Sequence, residues 1–189
     1  LAKTMVDIGE SVKKKVIAVI TDMNEPLGKN IGNSLEVMEA IEILKGKAEG
    51  RLKEVALELG AYMLILGNIC ATKEEARTKL EENIKNGKGI EKLKELIISQ
   101  NGNPEIINNY SLLSLSSCKK EIISEQSGYI SYMDTYNIGK AASETGAGRK
   151  TKDDKIDYGA GIILKHSLGD KIEKGDVIAE IYAKTKEKT

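Results

Sequence analysis

Lys15-Val-Ile-Ala-Val-Ile-Thr21, then Asp22-Met-Asn-Glu-Pro-Leu-Gly-Lys-Asn-Ile-Gly32, then Asn33-Ser-Leu-Glu-Val-Met-Glu-Ala-Ile-Glu-Ile-Leu44 is the stretch on which the fold reading turns. The first run is short and β-branched, as expected of a strand buried on both faces. Pro26, Gly28 and Gly32 then break any regular element and read as a loop. Leu35, Val37, Met38, Ile41 and Leu44 follow with helical spacing, Asn33 or Ser34 being able to cap the helix and Gly46 to stop it. Strand, glycine-containing loop and helix in that order make an α/β unit. Upstream, Leu1, Met5, Ile8 and Val12 form a helical stripe with no capping residue before it, so the chain is expected to begin inside a helix, either with an N-terminal portion removed or as one piece of a longer polypeptide. Downstream, helices are predicted over about 50–68, with Leu52, Val55, Leu59, Met63 and Leu66 on one face, over 72–86, opened by Thr72 with Glu75 three residues on, and over 89–100. These helices are expected to form a layer over a sheet.

From Asn101-Gly-Asn-Pro104 to Ser117 no period is visible, and the segment reads as a linker. The expected division is therefore 1–100, linker 101–117 and a second domain over 118–189. Beyond Lys119 the pattern changes to strand-like runs at 119–125, 128–133, 160–166 and 177–183, with one helix near 134–145. Gly169-Asp-Lys-Ile-Glu-Lys-Gly-Asp176 sets two Gly-Asp turns just before the alternating run Val177-Ile-Ala-Glu-Ile181. That pattern resembles the half-barrels of biotinyl and lipoyl carrier domains. No Met-Lys-Met occurs, so the pattern is read as scaffold and not as a site of covalent carriage.

Twenty-nine Lys plus Arg balance twenty-nine Asp plus Glu, and this balance gives no electrostatic reason to expect a nucleic-acid or membrane partner. Phe and Trp are absent, so the core must be aliphatic and no aromatic platform for single-stranded nucleic acid is available from those residues. The longest apolar runs, such as Met63-Leu-Ile-Leu66, fall far short of the roughly 20 residues that span a bilayer. Cys70 and Cys118 have no metal-ligand spacing and read as small, partly buried thiols in a reducing cytoplasm.

Candidates for chemistry are few. His166, the single histidine, stands between Lys165 and Ser167 and reads as a surface residue. Gly146-Ala-Gly148 with Arg149 and Lys150 could cradle an anion, but its spacing matches neither a P-loop nor a dinucleotide fingerprint, and a tight turn after a helix explains it better. Asp153, Asp154 and Asp157, among lysines, read as a solvated charged loop. Counting His and Cys leaves carboxylate and carbonyl oxygens as the only cation ligands, which favours a hard ion.

Gly128-Tyr-Ile-Ser, Gly146-Ala-Gly-Arg-Lys, Lys155-Ile-Asp-Tyr-Gly159 and Gly169-Asp-Lys-Ile-Glu-Lys-Gly-Asp176 follow one another in an order that resembles the C-terminal domain of pyrimidine-nucleoside phosphorylases. Thr21-Asp-Met-Asn-Glu-Pro-Leu-Gly28, with Gly32-Asn-Ser-Leu-Glu-Val37 and Glu39-Ala40, resembles a further signature of pyrimidine-nucleoside and thymidine phosphorylases. The resemblance runs over essentially the whole chain and implies an α/β fold: the rear part of a mixed-sheet α/β domain with a helical layer, followed by a small β-rich C-terminal domain of barrel-sandwich or hammerhead type.

What the resemblance implies about function is phosphorolysis of uridine, deoxyuridine or thymidine, with inorganic phosphate as co-substrate and a homodimeric, cytoplasmic enzyme at full length. The family's phosphate loop and base-reading residues find no counterpart here, so no catalytic or substrate-binding residue is assigned and this chain alone is expected to be inactive. A potassium site does carry over, through the backbone carbonyls of Leu27 and Asn30 and the carboxylate of Glu39. Glu25 stands where glutamine is more usual, and Asn30 where a small apolar residue is. The alternatives are a related nucleoside or nucleotide phosphorylase of other base preference, or a non-catalytic scaffold or binding module.

Overall fold

The computed structural model describes residues 1–149 and 151–189. They form two compact units, Leu1–Asp22 with Ile43–Lys92, and Met23–Glu42 with Leu93–Thr189. The helices are α1 Ala2–Ser11, α2 Asn33–Leu44, α3 Arg51–Leu66, α4 Lys73–Lys85, α5 Lys88–Ser99 and α6 Thr135–Ala142. The strands are β1 Asn30–Ile31, β2 Cys118–Ile123, β3 Gly128–Tyr129, β4 Gly161–Leu164, β5 Lys171–Ile172 and β6 Val177–Ala183. The architecture is mixed α/β, with small antiparallel sheets.

The first unit is helical. Its core is built on small residues, Ala61, Cys70 and Ala76, with Leu64 and Leu80 packed against them. Small side chains bring α3 and α4 close, so that a Cβ at Gly60 would sit 2.9 Å from Leu80 Cδ1. The start of α4 falls where the sequence predicts it: the Thr72 hydroxyl accepts the Glu75 N–H at 3.2 Å, and Glu75 Oε2 accepts the Ala71 N–H at 3.0 Å. Helix α1 also forms as predicted, and its stripe of Leu1, Met5, Ile8 and Val12 is exposed.

Two expectations are corrected here. Lys15–Thr21 is not a strand, and Ile20 is 86% exposed. A β-branched run becomes a strand only where another backbone completes its ladder, and no described strand pairs with this one. The first unit accordingly has no sheet of its own among the described residues, and its core lies where α3 and α4 pack on each other. At α2, the structure begins the helix at Asn33 itself, leaving Gly32 at the boundary, with its N–H donated to Glu36 Oε1 at 3.0 Å.

In the second unit the main sheet runs β1-β4-β6-β2, every pairing antiparallel, beside a separate β3-β5 pair. Strand β6 is central and pairs on both sides, with Cys118 opposite Ala183 on β2 and Gly161 opposite Tyr182 on β4. Leu35 and Ile41 of α2 are completely buried and share this unit with buried Ile107, Ala160, Ile162 and Ala183. The segment read as a linker contains two short 3₁₀ turns, Pro104–Ile107 and Tyr110–Leu112. Ile107 is buried, and the Tyr110 hydroxyl donates to Glu42 Oε1. Burial and that bond push the Tyr110 phenol well above its ordinary range.

On the sheet, the Glu180 carboxylate is 13% exposed and receives Lys165 Nζ at 2.9 Å, Lys119 Nζ at 3.0 Å and the Tyr182 hydroxyl at 3.0 Å. Burial alone would raise its pKa, but the bonds from Lys165, Lys119 and Tyr182 outweigh burial and hold it below the usual value. A depressed carboxylate contributes stability that is present above its unfolded value, near pH 4.3, and is lost as pH falls through the lower folded value. Glu180→Gln is therefore expected to destabilise the protein by about 2 kcal/mol at pH 7, with the deficit shrinking as the pH falls below about 4. Urea denaturation at a series of pH values checks this; a deficit that does not change with pH would refute the charge argument.

Candidate functional site

The loop between Pro26 and Gly32 is shaped by the helix that follows it. Glu39 lies within the body of α2, and its carboxylate turns back onto the loop: Oε1 accepts the Lys29 N–H at 2.9 Å and Oε2 the Asn30 N–H at 3.1 Å. Glu39 is thus half-buried against the backbone rather than a free surface acid. Gly28 makes the approach possible, because a Cβ there would lie 2.5 Å from Glu39 Oε2. The Asn30 side chain closes a further bond, Nδ2 donating to the Leu35 carbonyl at 2.8 Å.

The other face of the loop joins the sheet. Asn30 stands opposite Ile163, and the Leu164 N–H donates to the Lys29 carbonyl at 2.8 Å. That bond makes Asn30 and Ile163 a non-hydrogen-bonded pair, so the N–H and C=O of Asn30 both point away from β4. Its N–H meets Glu39, and its carbonyl therefore looks toward the same side as the carboxylate. Leu27, with its side chain exposed, lies just ahead of Gly28 in the loop. Of the three residues read as cation ligands, Asn30 and Glu39 are in direct contact and Leu27 shares their loop. The available donors are one carboxylate and backbone carbonyls, a set suited to a hard cation. Among the described residues no three or more of His, Cys, Asp and Glu gather into a metal-holding group.

Further bonds tie this segment to the rest of the second unit. Thr135 Oγ1 donates to the Met23 carbonyl at 3.0 Å, the Leu168 N–H to Glu25 Oε2 at 2.8 Å, and the Ser34 N–H to the Tyr158 carbonyl at 3.0 Å. Sequence reasoning missed the roles of Glu25 and of the Asn30 amide. The only sequence signal for either was that both residues depart from the family's usual choice.

The remaining candidates resolve into structural parts. Ser143–Ala147 continues α6 as a wide turn, Gly146 sits at φ 110, and its carbonyl accepts the Asp157 N–H at 2.9 Å. This is the turn that the glycines predict, with Arg149 exposed beyond it. Lys150 lies outside the described residues. Asp157 is not part of a solvated loop: it is half-buried, accepting from Ser116 Oγ at 2.7 Å and from the Gly159 N–H at 3.0 Å. Asp154 closes its own loop by accepting the Thr151 N–H at 2.9 Å. His166, read as a surface residue, is half-buried, with Nδ1 4.0 Å from Asp170 Oδ2. Cys70 is buried, Cys118 is half-buried, and both are free thiols. No helix among the described residues is long and apolar enough to cross a membrane.

Two family models match the chain in order: the a/b domain of a glycosyl transferase family over residues 1–90, and the pyrimidine nucleoside phosphorylase C-terminal domain over residues 129–189. A pyrimidine-nucleoside phosphorylase of Bacillus subtilis (strain 168) is 44% identical over 183 residues, which cover 97% of this chain and 42% of the relative. One of Staphylococcus aureus (strain USA300) is 42% identical over the same proportions of both chains. This chain thus spans about two fifths of the length of the curated relatives it matches.

Proposed function

We propose that this chain is part of a pyrimidine-nucleoside phosphorylase and that it serves in the phosphorolysis of uridine, deoxyuridine or thymidine, a reading supported by the two family models matched in order and by 44% identity to a pyrimidine-nucleoside phosphorylase. A phosphate oxygen attacks the anomeric carbon, the glycosidic C–N bond breaks with its electron pair leaving on the pyrimidine, which takes up the proton that the phosphate gives up, and the products are the neutral free base and (deoxy)ribose 1-phosphate. Inorganic phosphate is the co-substrate. No residue of this chain is assigned to attack, to phosphate or to the base. Its contribution is the second unit as a framework and the loop around Asn30 as a cation site.

Potassium is the proposed ion, held by the carbonyls of Leu27 and Asn30 and the carboxylate of Glu39. Bound there, it would supply a fixed positive charge that keeps carbonyl oxygens converged. We further propose that the small sheet domain is of barrel-sandwich type, that the complete enzyme is a cytoplasmic homodimer, and that the chain divides functionally at 101–117. The observation that carries the functional reading is 44% identity sustained over 97% of the chain.

The test is a chimera in which these residues replace the matching 183-residue region of the Bacillus subtilis relative. Uracil release from uridine that requires phosphate is expected from the chimera and not from the present chain by itself. A folded chimera that turns over no pyrimidine nucleoside, while its parent does, would sink the reading. Turnover of a different base class would favour a phosphorylase of other preference.

A further inference from the structure

The clamp between the loop and α2 leads to an inference that rests on the proposed cation site and concerns what organises it. Asn30 makes two contacts with the helix by different groups: its N–H to Glu39 Oε2 at 3.1 Å and its side-chain Nδ2 to the Leu35 carbonyl at 2.8 Å. Glu39 accepts from Lys29 as well, and Gly32 donates to Glu36 Oε1, so consecutive parts of the loop are held by the first turns of one helix. That helix is anchored by Leu35, which is 0% exposed. The loop is therefore shaped by bonds within the protein, and the carbonyl of Asn30 is aimed before any ion arrives.

We propose that Asn30 is a positioning residue for the cation site: its side-chain amide, by tying the loop to the Leu35 carbonyl, pre-forms the arrangement of carbonyls that an ion would otherwise have to order. A residue with a small apolar side chain has no such donor and leaves more of the ordering to the ion. Binding that must also order its site is weaker by the fraction of time that the site is formed.

The test separates shape from occupancy. Amide hydrogen exchange of the present chain in potassium-free buffer reads the loop directly, and the Lys29 and Asn30 N–H groups are expected to be protected. In Asn30→Ala, protection at Lys29 is expected to fall about tenfold, a change of the size of one net hydrogen bond. In the chimera, thermal melting titrated with potassium against choline at constant ionic strength gives the ion's midpoint. That midpoint is expected to rise about three- to tenfold in Asn30→Ala, and to return part of the way in Asn30→Gln, which restores an amide one methylene longer. A purely structural role would lower melting temperature at every potassium concentration and leave the midpoint in place; that result overturns the proposal. So does wild-type protection at Lys29 that appears only when potassium is added, and so does the absence of any potassium response in the chimera. Should Asn30→Ala fail to fold, Asn30→Leu, close to asparagine in volume but without a donor, carries the same expectations. Because none of these readouts uses turnover, an inactive chimera would count against the phosphorylase reading and not against this one.

Discussion

Gly161→Ala is expected to destabilise the second unit by about 4 kcal/mol, a large share of the roughly 5–15 kcal/mol that holds a typical domain folded. Gly161 opens β4 at φ 153, and a Cβ built on it would overlap the Ile31 carbonyl oxygen, come within 2.9 Å of Leu35 Cδ1 and within 3.1 Å of Gly32 Cα. Two of those neighbours are backbone, so no rotamer change relieves them. The clash falls where β1 meets β4, and that pairing brings the candidate cation loop to the sheet. Gly32, at φ 134, faces the same crossing from the other side, a Cβ there being 2.9 Å from Gly161 Cα. Far-UV circular dichroism with urea denaturation checks the prediction. A folded Gly161→Ala protein with an unchanged midpoint would show that β1 and β4 do not approach as described.

Leu35→Ala should cost about 3 to 4 kcal/mol, in the range of fully buried leucines whose surroundings cannot collapse. Leu35 is 0% exposed, and its neighbours include the backbone of Gly161. Its carbonyl also accepts the Asn30 amide, so loosening this turn of α2 is expected to loosen the loop with it. The double substitution sharpens both predictions. Removing Leu35 Cδ1 frees one side of the space that a methyl group on Gly161 would occupy and leaves the Ile31 carbonyl in place. The two losses should therefore combine to somewhat less than their sum, without rescue of either. Full rescue of Gly161→Ala by Leu35→Ala would mean that the backbone crossing is looser than its geometry implies.

The elements that could be read in advance are those whose signals are local. Thr72 and Glu75 three residues on mark the start of α4 because a cap satisfies donors within its own turn. Val177-Ile-Ala-Glu-Ile181 alternates and lies in β6, Val177–Ala183. Gly146-Ala-Gly148 makes its turn at a positive φ that glycine favours. Where signals depend on a partner, the reading failed. Lys15–Thr21 has the composition of a strand but no ladder among the described residues, whereas Asn30–Ile31, inside what reads as a loop, pairs with β4 from more than a hundred residues away. Asp157 looked solvated among charges and is bound to Ser116 and Gly159.

At the candidate site the same division holds. That Glu39 could reach back to the loop was legible from its place on the helix, and the family resemblance singled out Leu27, Asn30 and Glu39. By itself the sequence determined the positions of the helices, the β-rich character of the second half and the likeness to pyrimidine-nucleoside phosphorylases, because periodicity, capping and motif order are properties of neighbouring residues. Only the tertiary structure decided that both Glu39 oxygens grip backbone N–H groups, that the Asn30 amide holds Leu35, and that Gly161 admits the β1 crossing. Those are distances between groups brought together by packing, and a sequence records order along the chain, not proximity across it.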